Sequence, residues 1–292
     1  MTTLTILISA LLLVVLTPSE ALAWGPATHV FLSGSVLGGL AGVAPVLVRF
    51  LGRYRRDFYQ GSVWADVLLG KRWADRRLHS HSWEVGRALL DRSRNDPQRA
   101  FALGYLGHLA ADTVAHGHFI PRKLLLSRMT ENIGHFYWEL RADGLLSRGN
   151  WDEVEFRVGG VSHHNRDLLE DVLQPTFFSF ETNRLLFGGQ LASYRIETWH
   201  DLFTTAERNA RRPLSGPLIK NYHEASLQRM ARILNDPADP QILALDPTGG
   251  HLMRTSVETR RHLSRLIRSG EMGKEVLFQV ADSLQTGLHS RV

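Results

Sequence analysis

The sequence has no cysteine in its 292 residues. This absence excludes disulfide bonds and thiolate ligands, so any metal site must use nitrogen and oxygen atoms. The sequence also has no segment that alternates polar and apolar residues for long enough to predict a β-sheet. Its 43% hydrophobic and 22% charged composition is that of an ordinary globular protein. Together these features favour an all-α domain built around one core.

Long hydrophobic runs are almost absent. The run Leu4–Leu16 is shorter than the roughly 20 residues of a membrane-spanning helix. It is followed by Ala21-Leu22-Ala23, the small-x-small pattern of a signal-peptidase site. We therefore expect residues 1–23 to be a signal peptide and Trp24 to be the first mature residue of a secreted or periplasmic protein. Because residues 1–3 contain no Lys or Arg, an uncleaved anchor is the alternative.

Neither sign of charge dominates, since 34 basic and 29 acidic residues leave a net charge of +5. This mild excess favours anionic partners without identifying one. Apolar residues three and four apart predict helices along the remaining chain. The predicted helical ranges are 28–52 (two short helices), 83–94, 97–116, 122–146, 151–173, 193–211, 216–235 and 252–286. We expect one domain, 24–292, with metal ligands in 24–143 and a helical extension in 144–292.

Two pairs of His and carboxylate residues stand four positions apart. His108 and Asp112 form the first pair, and His135 and Glu139 form the second. On a helix, residues at this spacing share a face and can hold one ion, although an ordinary surface hydrogen bond is the simpler explanation of a single pair. Further ligand types nearby favour metal binding: "HSHSW" at 79–83, "WAD" at 64–66 and the segment 24–29.

The ordered spacing of these residues resembles the zinc-dependent phospholipase C family, whose relatives include fungal single-strand-specific zinc nucleases. The resemblance covers roughly residues 24–143. It implies a mostly helical domain with three zinc ions at the bottom of a cleft. It also implies that processing exposes an N-terminal Trp, here Trp24, whose amino nitrogen and carbonyl oxygen chelate zinc. An α-amino group suits this role because its pKa of about 8 lets it lose its proton at modest cost.

The resemblance also implies a ligand set and a catalytic base. One ion would be held by Asp66, His81, His108 and Asp112. A second would be held by Trp24, His29 and the other oxygen of Asp112. A third would be held by His118, His135 and Glu139. Asp66 would in addition act as the general base.

Two of these ligands have close competitors. Helix periodicity favours His116, because 108, 112 and 116 form one stripe. The family spacing favours His118, and Gly117 and Pro121 allow the chain to turn there. We choose His118. For the first ion we choose His81 over His79, because its spacing from Asp66 in the sequence matches that in the nuclease relatives.

The expected function is an exported zinc phosphodiesterase, a phospholipase C that releases diacylglycerol and a phosphorylated head group. Its partners would be a phospholipid or another phosphodiester and, peripherally, a membrane surface, and we expect a monomer. A single-strand-specific nuclease is the first alternative, and only then would nucleic acid be a substrate. The lack of Cys and of Asn-x-Ser/Thr disfavours it. The second alternative is a metal-stabilised binding protein without catalysis.

Overall fold

The computed structural model describes residues 24–66, 80–146, 162–173, 214–286 and 288. Every regular element in these ranges is helical, which confirms the all-α prediction. The elements are α1 (Pro26–Leu37), α2 (Pro45–Arg53), α3 (Arg55–Trp64), α4 (Trp83–Asp91), α5 (Asp96–Val114), a π-helical turn (Ala115–Phe119), α6 (Ile120–Leu126), α7 (Glu131–Asp143), α8 (His163–Val172), α9 (Gly216–Asn235), α10 (Pro240–Leu243), α11 (Gly250–Arg268) and α12 (Glu275–Thr286).

Helix α5 forms the centre of the molecule. It begins at an Asn95 cap, whose side chain accepts a hydrogen bond from the Gln98 amide at 3.0 Å, and Pro97 occupies the first turn. Beyond this turn nearly every residue is buried, as expected for a helix that is apolar on all sides. Helices α3, α4 and α9 pack around it. Polar groups on α5 are therefore removed from water and need partners inside the protein.

Two glycines bring helices α3 and α5 unusually close together. A Cβ atom at Gly61 would overlap the backbone of Phe101, and one at Gly104 would overlap the backbone of Phe58. Only residues without side chains allow this approach. Asp66 lies just beyond the end of α3. The close approach of the two helices therefore brings it near His108 on α5.

The C-terminal helices differ in part from the prediction. The predicted helix 252–286 is two helices, because the chain breaks at Gly270, whose φ is +82°. The predicted helix 122–146 is likewise interrupted between α6 and α7. Helix α8 lies within the predicted range 151–173, whereas the predicted helix 193–211 and the predicted signal peptide 1–23 lie outside the described residues. Within the described ranges, no helix has the length and apolarity needed to cross a membrane.

Candidate metal centre

Four buried side chains converge between α3, α4 and α5, and we call them the first cluster: Asp66, His81, His108 and Asp112. His81 Nε2 lies 3.1 Å from Asp66 Oδ1 and 3.2 Å from Asp112 Oδ2. His108 Nε2 lies 3.0 Å from the same Asp112 oxygen. One ligand atom from each residue fits within 4.8 Å of the others. The structure thus brings together the four residues predicted for one ion.

The second oxygen of Asp112 faces another histidine. Asp112 Oδ1 lies 3.2 Å from Nε2 of His29 on α1. The His29 ring stacks on the His108 ring, with centroids 4.0 Å apart. Asp112 therefore stands between His29 on one side and the His81 and His108 pair on the other. A carboxylate in this position has the geometry of a bridge between two neighbouring cation sites.

The hydrogen bonds behind the first cluster determine which ring nitrogen of His108 faces inward. His108 Nδ1 lies 2.9 Å from the Ser62 carbonyl, and because a carbonyl only accepts, this nitrogen carries the proton. In the neutral ring the Nε2 lone pair then points at His81 Nε2, 3.1 Å away. Both Asp112 oxygens are buried and lack well-formed hydrogen bonds. Convergent imidazole lone pairs and buried carboxylates fit a divalent cation, and zinc accepts this nitrogen and oxygen donor set.

Burial and neighbouring charge leave Asp112 and His29 in the forms that bind metal. Burial opposes ionisation of Asp112, but His108 and His29 outweigh it and hold the Asp112 pKa well below its usual value. Burial and repulsion from His108 lower the pKa of His29. At neutral pH the carboxylate is therefore ionised and the His29 imidazole is neutral, as a ligand must be.

A second cluster lies beside the first and consists of His116, His135 and Glu139. His135 Nε2 is 3.0 Å from His116 Nε2 and 2.7 Å from Glu139 Oε1. All three residues are buried. The His81 and His116 rings are 6.5 Å apart between centroids, so the two clusters are neighbours.

The structure places His116, and not the predicted His118, beside His135 and Glu139. His118 points the other way: Nδ1 donates to the Leu284 carbonyl at 2.8 Å, and Nε2 lies 3.0 Å from the guanidinium of Arg229. Arg229 is buried on α9 and also donates to Thr113 Oγ1 at 2.9 Å. His118 thus connects the π-helical turn to α9 and α12.

The π-helical turn explains why His116, and not His118, lies beside His135 and Glu139. Pro121 has no amide hydrogen and cannot complete a regular α-helical turn. The chain widens into a π-turn instead, in which the Ile120 amide bonds to the Ala115 carbonyl, and it does not leave the helix at Gly117. His116 consequently stays on the face that carries His108 and Asp112, and His118 lies on the opposite side.

Trp24 lies at the start of the described chain and is fully buried. Its indole Nε1 donates to Ser226 Oγ on α9 at 3.2 Å, and its ring stacks on Phe119 at 5.1 Å. These contacts hold the segment that leads into α1 and His29. Chelation by the Trp24 amino group stays a prediction, as does ligation by each other residue. The competing residue His79 lies outside the described residues.

Asp143 is a buried residue at this centre that the sequence reasoning missed. Its carboxylate accepts hydrogen bonds from the Ala27 and Thr28 amides, at 3.1 and 3.0 Å, at the start of α1. Burial raises its pKa to about 7, although these hydrogen bonds act in the opposite direction. Because it follows His135 and Glu139 at the same spacing of four, continuing the stripe along α7 would have found it. Asp143 thereby links the second cluster's helix to the segment that carries His29.

A helical protein with two adjacent buried clusters of imidazoles and carboxylates has the features of a metal-binding protein. Comparison with known families agrees with this class, because residues 28–175, half of the chain, match the family model described as zinc dependent phospholipase C. The chain belongs to the zinc-dependent phospholipase C family. No curated protein and no solved structure matches it.

Proposed function

We propose that this protein is an exported zinc-dependent phosphodiesterase, specifically a phospholipase C that cleaves glycerophospholipids into diacylglycerol and a phosphorylated head group. The observation that carries the proposal is the position of Asp112, whose two oxygens face His29 on one side and His81 and His108 on the other. A shared carboxylate is typical of paired metal sites that act on phosphate esters. Family membership supports the same chemistry.

We propose ligand sets for three zinc ions. The first cluster would hold one ion, and His29, Asp112 and the Trp24 terminus would hold a second. The second cluster, with His116 in place of His118, would hold the third. When bound, the ions would acidify a water molecule and neutralise the charge on the phosphate.

Asp66 would orient the attacking water and accept its proton. Its carboxylate is buried and lies 3.1 Å from His81 Nε2, so its orientation is fixed before substrate arrives. The water would attack phosphorus in line with the glycerol oxygen. The bond from phosphorus to that oxygen would break, and the released oxygen would take up a proton from solvent to give diacylglycerol.

A cavity of about 330 Å³ supports a substrate position beside the clusters. It is lined by His81, by Glu84 on α4, and by Asp246, Pro247 and Arg254 from the C-terminal part of the chain. Charged groups on its walls suit the polar head group, whereas the acyl chains would stay outside. The acyl chains would stay at a membrane surface that the protein contacts peripherally.

In the experiment, zinc-loaded protein is incubated with phosphatidylcholine vesicles and, separately, with single-stranded DNA. We expect diacylglycerol and phosphocholine from the vesicles and no cleavage of the DNA. The variant Asp66→Asn should lose at least about 1,000-fold in rate while keeping its helical circular dichroism spectrum. The exposed variant Asp236→Asn serves as the matched control.

The other outcomes identify the alternatives. DNA cleavage without lipid cleavage would make the protein a nuclease. Zinc binding with no turnover of either substrate would make it a metal-stabilised binding protein. The mass of the exported protein tests the localisation, because a chain that begins at Trp24 is expected.

A further inference from the structure

The segment Leu245–Gly249 lies beyond the residues that match the family, yet it touches the second cluster. The Pro247 carbonyl lies 2.6 Å from His116 Nδ1. Because the carbonyl accepts, Nδ1 carries the proton, and the Nε2 lone pair faces His135 and Glu139. The Ser62 carbonyl orients His108 in the same way in the first cluster.

Gly249 makes this contact possible. Its φ is +56°, a left-handed conformation that side chains disfavour. A Cβ atom there would lie 2.5 Å from both Cβ and the carbonyl oxygen of His116. The backbone of Gly249 is therefore pressed directly against the residue that it helps to hold, and no other amino acid fits without displacing one of them.

The segment is held at its other end as well. The indole of Trp83, two residues after His81, donates to the Leu245 carbonyl at 2.8 Å. Asp246 closes the turn by accepting from the Thr248 amide at 2.8 Å and from the Thr248 hydroxyl at 2.7 Å. The segment thus spans from the neighbourhood of the first cluster to the second, and it is fixed at three points.

We propose that Leu245–Gly249 is a positioning element for the second metal site. The Pro247 carbonyl fixes the His116 tautomer, and Gly249 allows the backbone of the segment to approach His116 closely. The inference rests on the metal-binding role proposed above for His116, His135 and Glu139. It gives the C-terminal part of the chain a function in the metal centre beyond packing. Loss of a partner that orients a metal-binding histidine typically weakens metal affinity 10- to 100-fold.

The test compares Gly249→Ala with Gly270→Ala. Both glycines have positive φ, at +56° and +82°, but a Cβ at Gly270 would meet nothing within 4 Å. The two variants share the backbone strain, and only the first disturbs His116. Zinc stoichiometry and affinity, measured by competition with a chelator, should show one ion bound at least 10-fold more weakly in Gly249→Ala and unchanged binding in Gly270→Ala.

Equal zinc binding by both variants and the parent protein, or equal weakening in both variants, would overturn the proposal. If Gly249→Ala fails to fold, histidine ¹⁵N spectra of the zinc-loaded parent protein decide. His116 should carry its proton on Nδ1, and a proton on Nε2 would overturn the proposal. Because no step measures turnover, an inactive protein would not affect this result. A parent protein that binds no zinc would instead overturn the proposed function.

Discussion

The two clusters contain the same kinds of ligand but are held in different ways. The first cluster is supported by residues near it in the matched part of the chain, such as Ser62 behind His108. The second cluster needs the Pro247 carbonyl, which lies 131 positions from His116. The first cluster is therefore supported by α3 and α5, whereas the second also contacts the C-terminal segment Leu245–Gly249. The structure brings together the four residues predicted for the first cluster, and in the second it places His116 where His118 was chosen.

The strongest way to sharpen the comparison is to remove the shared carboxylate. Asp112→Asn should lose two zinc ions and at least about 1,000-fold in activity, since the amide cannot serve two cations. Glu139→Gln should lose one ion and about 10- to 100-fold in activity. Metal analysis of both purified proteins beside the parent checks this. Loss of the same number of ions in both variants would contradict the bridging position of Asp112.

A second comparison separates the two histidines of the π-helical turn. His116→Gln should lose the second cluster's ion. His118→Gln should keep all the zinc and lose about 1 kcal/mol of unfolding free energy, because it breaks the bonds to Leu284 and Arg229. Zinc analysis and urea unfolding measure both. Loss of zinc in His118→Gln but not in His116→Gln would show that the ligand is His118, the residue chosen from the family spacing.

The link between α7 and α1 gives a third comparison. Asp143→Ala removes the acceptor for the Ala27 and Thr28 amides and should cost about 1–2 kcal/mol of unfolding free energy. It should also weaken the ion at His29 more than the ion in the second cluster, because α1 carries His29. Chelator competition beside urea unfolding measures both effects. Equal affinity at all sites would show that Asp143 acts on stability alone.

A last comparison concerns His223 on α9, which contacts Trp24 and belongs to neither cluster. Burial lowers its pKa to about 4. The unfolded chain takes up this proton near pH 6.5 and the folded protein does so only near pH 4, so stability falls as the pH drops between these values. Titration of His223 should therefore lower the unfolding free energy by about 2 kcal/mol between pH 7 and pH 5.

The variant His223→Gln lacks this titration, so its unfolding free energy should fall less over the same range. Urea unfolding at the two pH values measures the difference, and the exposed variant His262→Gln is the control. A parent protein and a His223→Gln variant with the same pH dependence would contradict the buried neutral imidazole.

Local patterns predicted much of the candidate site. The pairs His108 with Asp112 and His135 with Glu139 follow from helical spacing alone, and the family spacing located Asp66 and His81. Helix periodicity also indicated His116. It was set aside because Gly117 and Pro121 suggested a turn, and the energetic preference for a π-turn is not visible in such patterns.

The sequence by itself determined the helices, the nitrogen and oxygen ligand types and the faces on which most of them lie, because these depend on neighbours three or four positions away. The tertiary structure decided the rest. It selected His116 over His118, brought the Asp143 carboxylate to the start of α1, and placed Gly249 against the second cluster. The contacts of Asp143 and Gly249 join residues more than a hundred positions apart, and the position of His116 depends on how its helix packs. No local spacing in the sequence encodes such contacts.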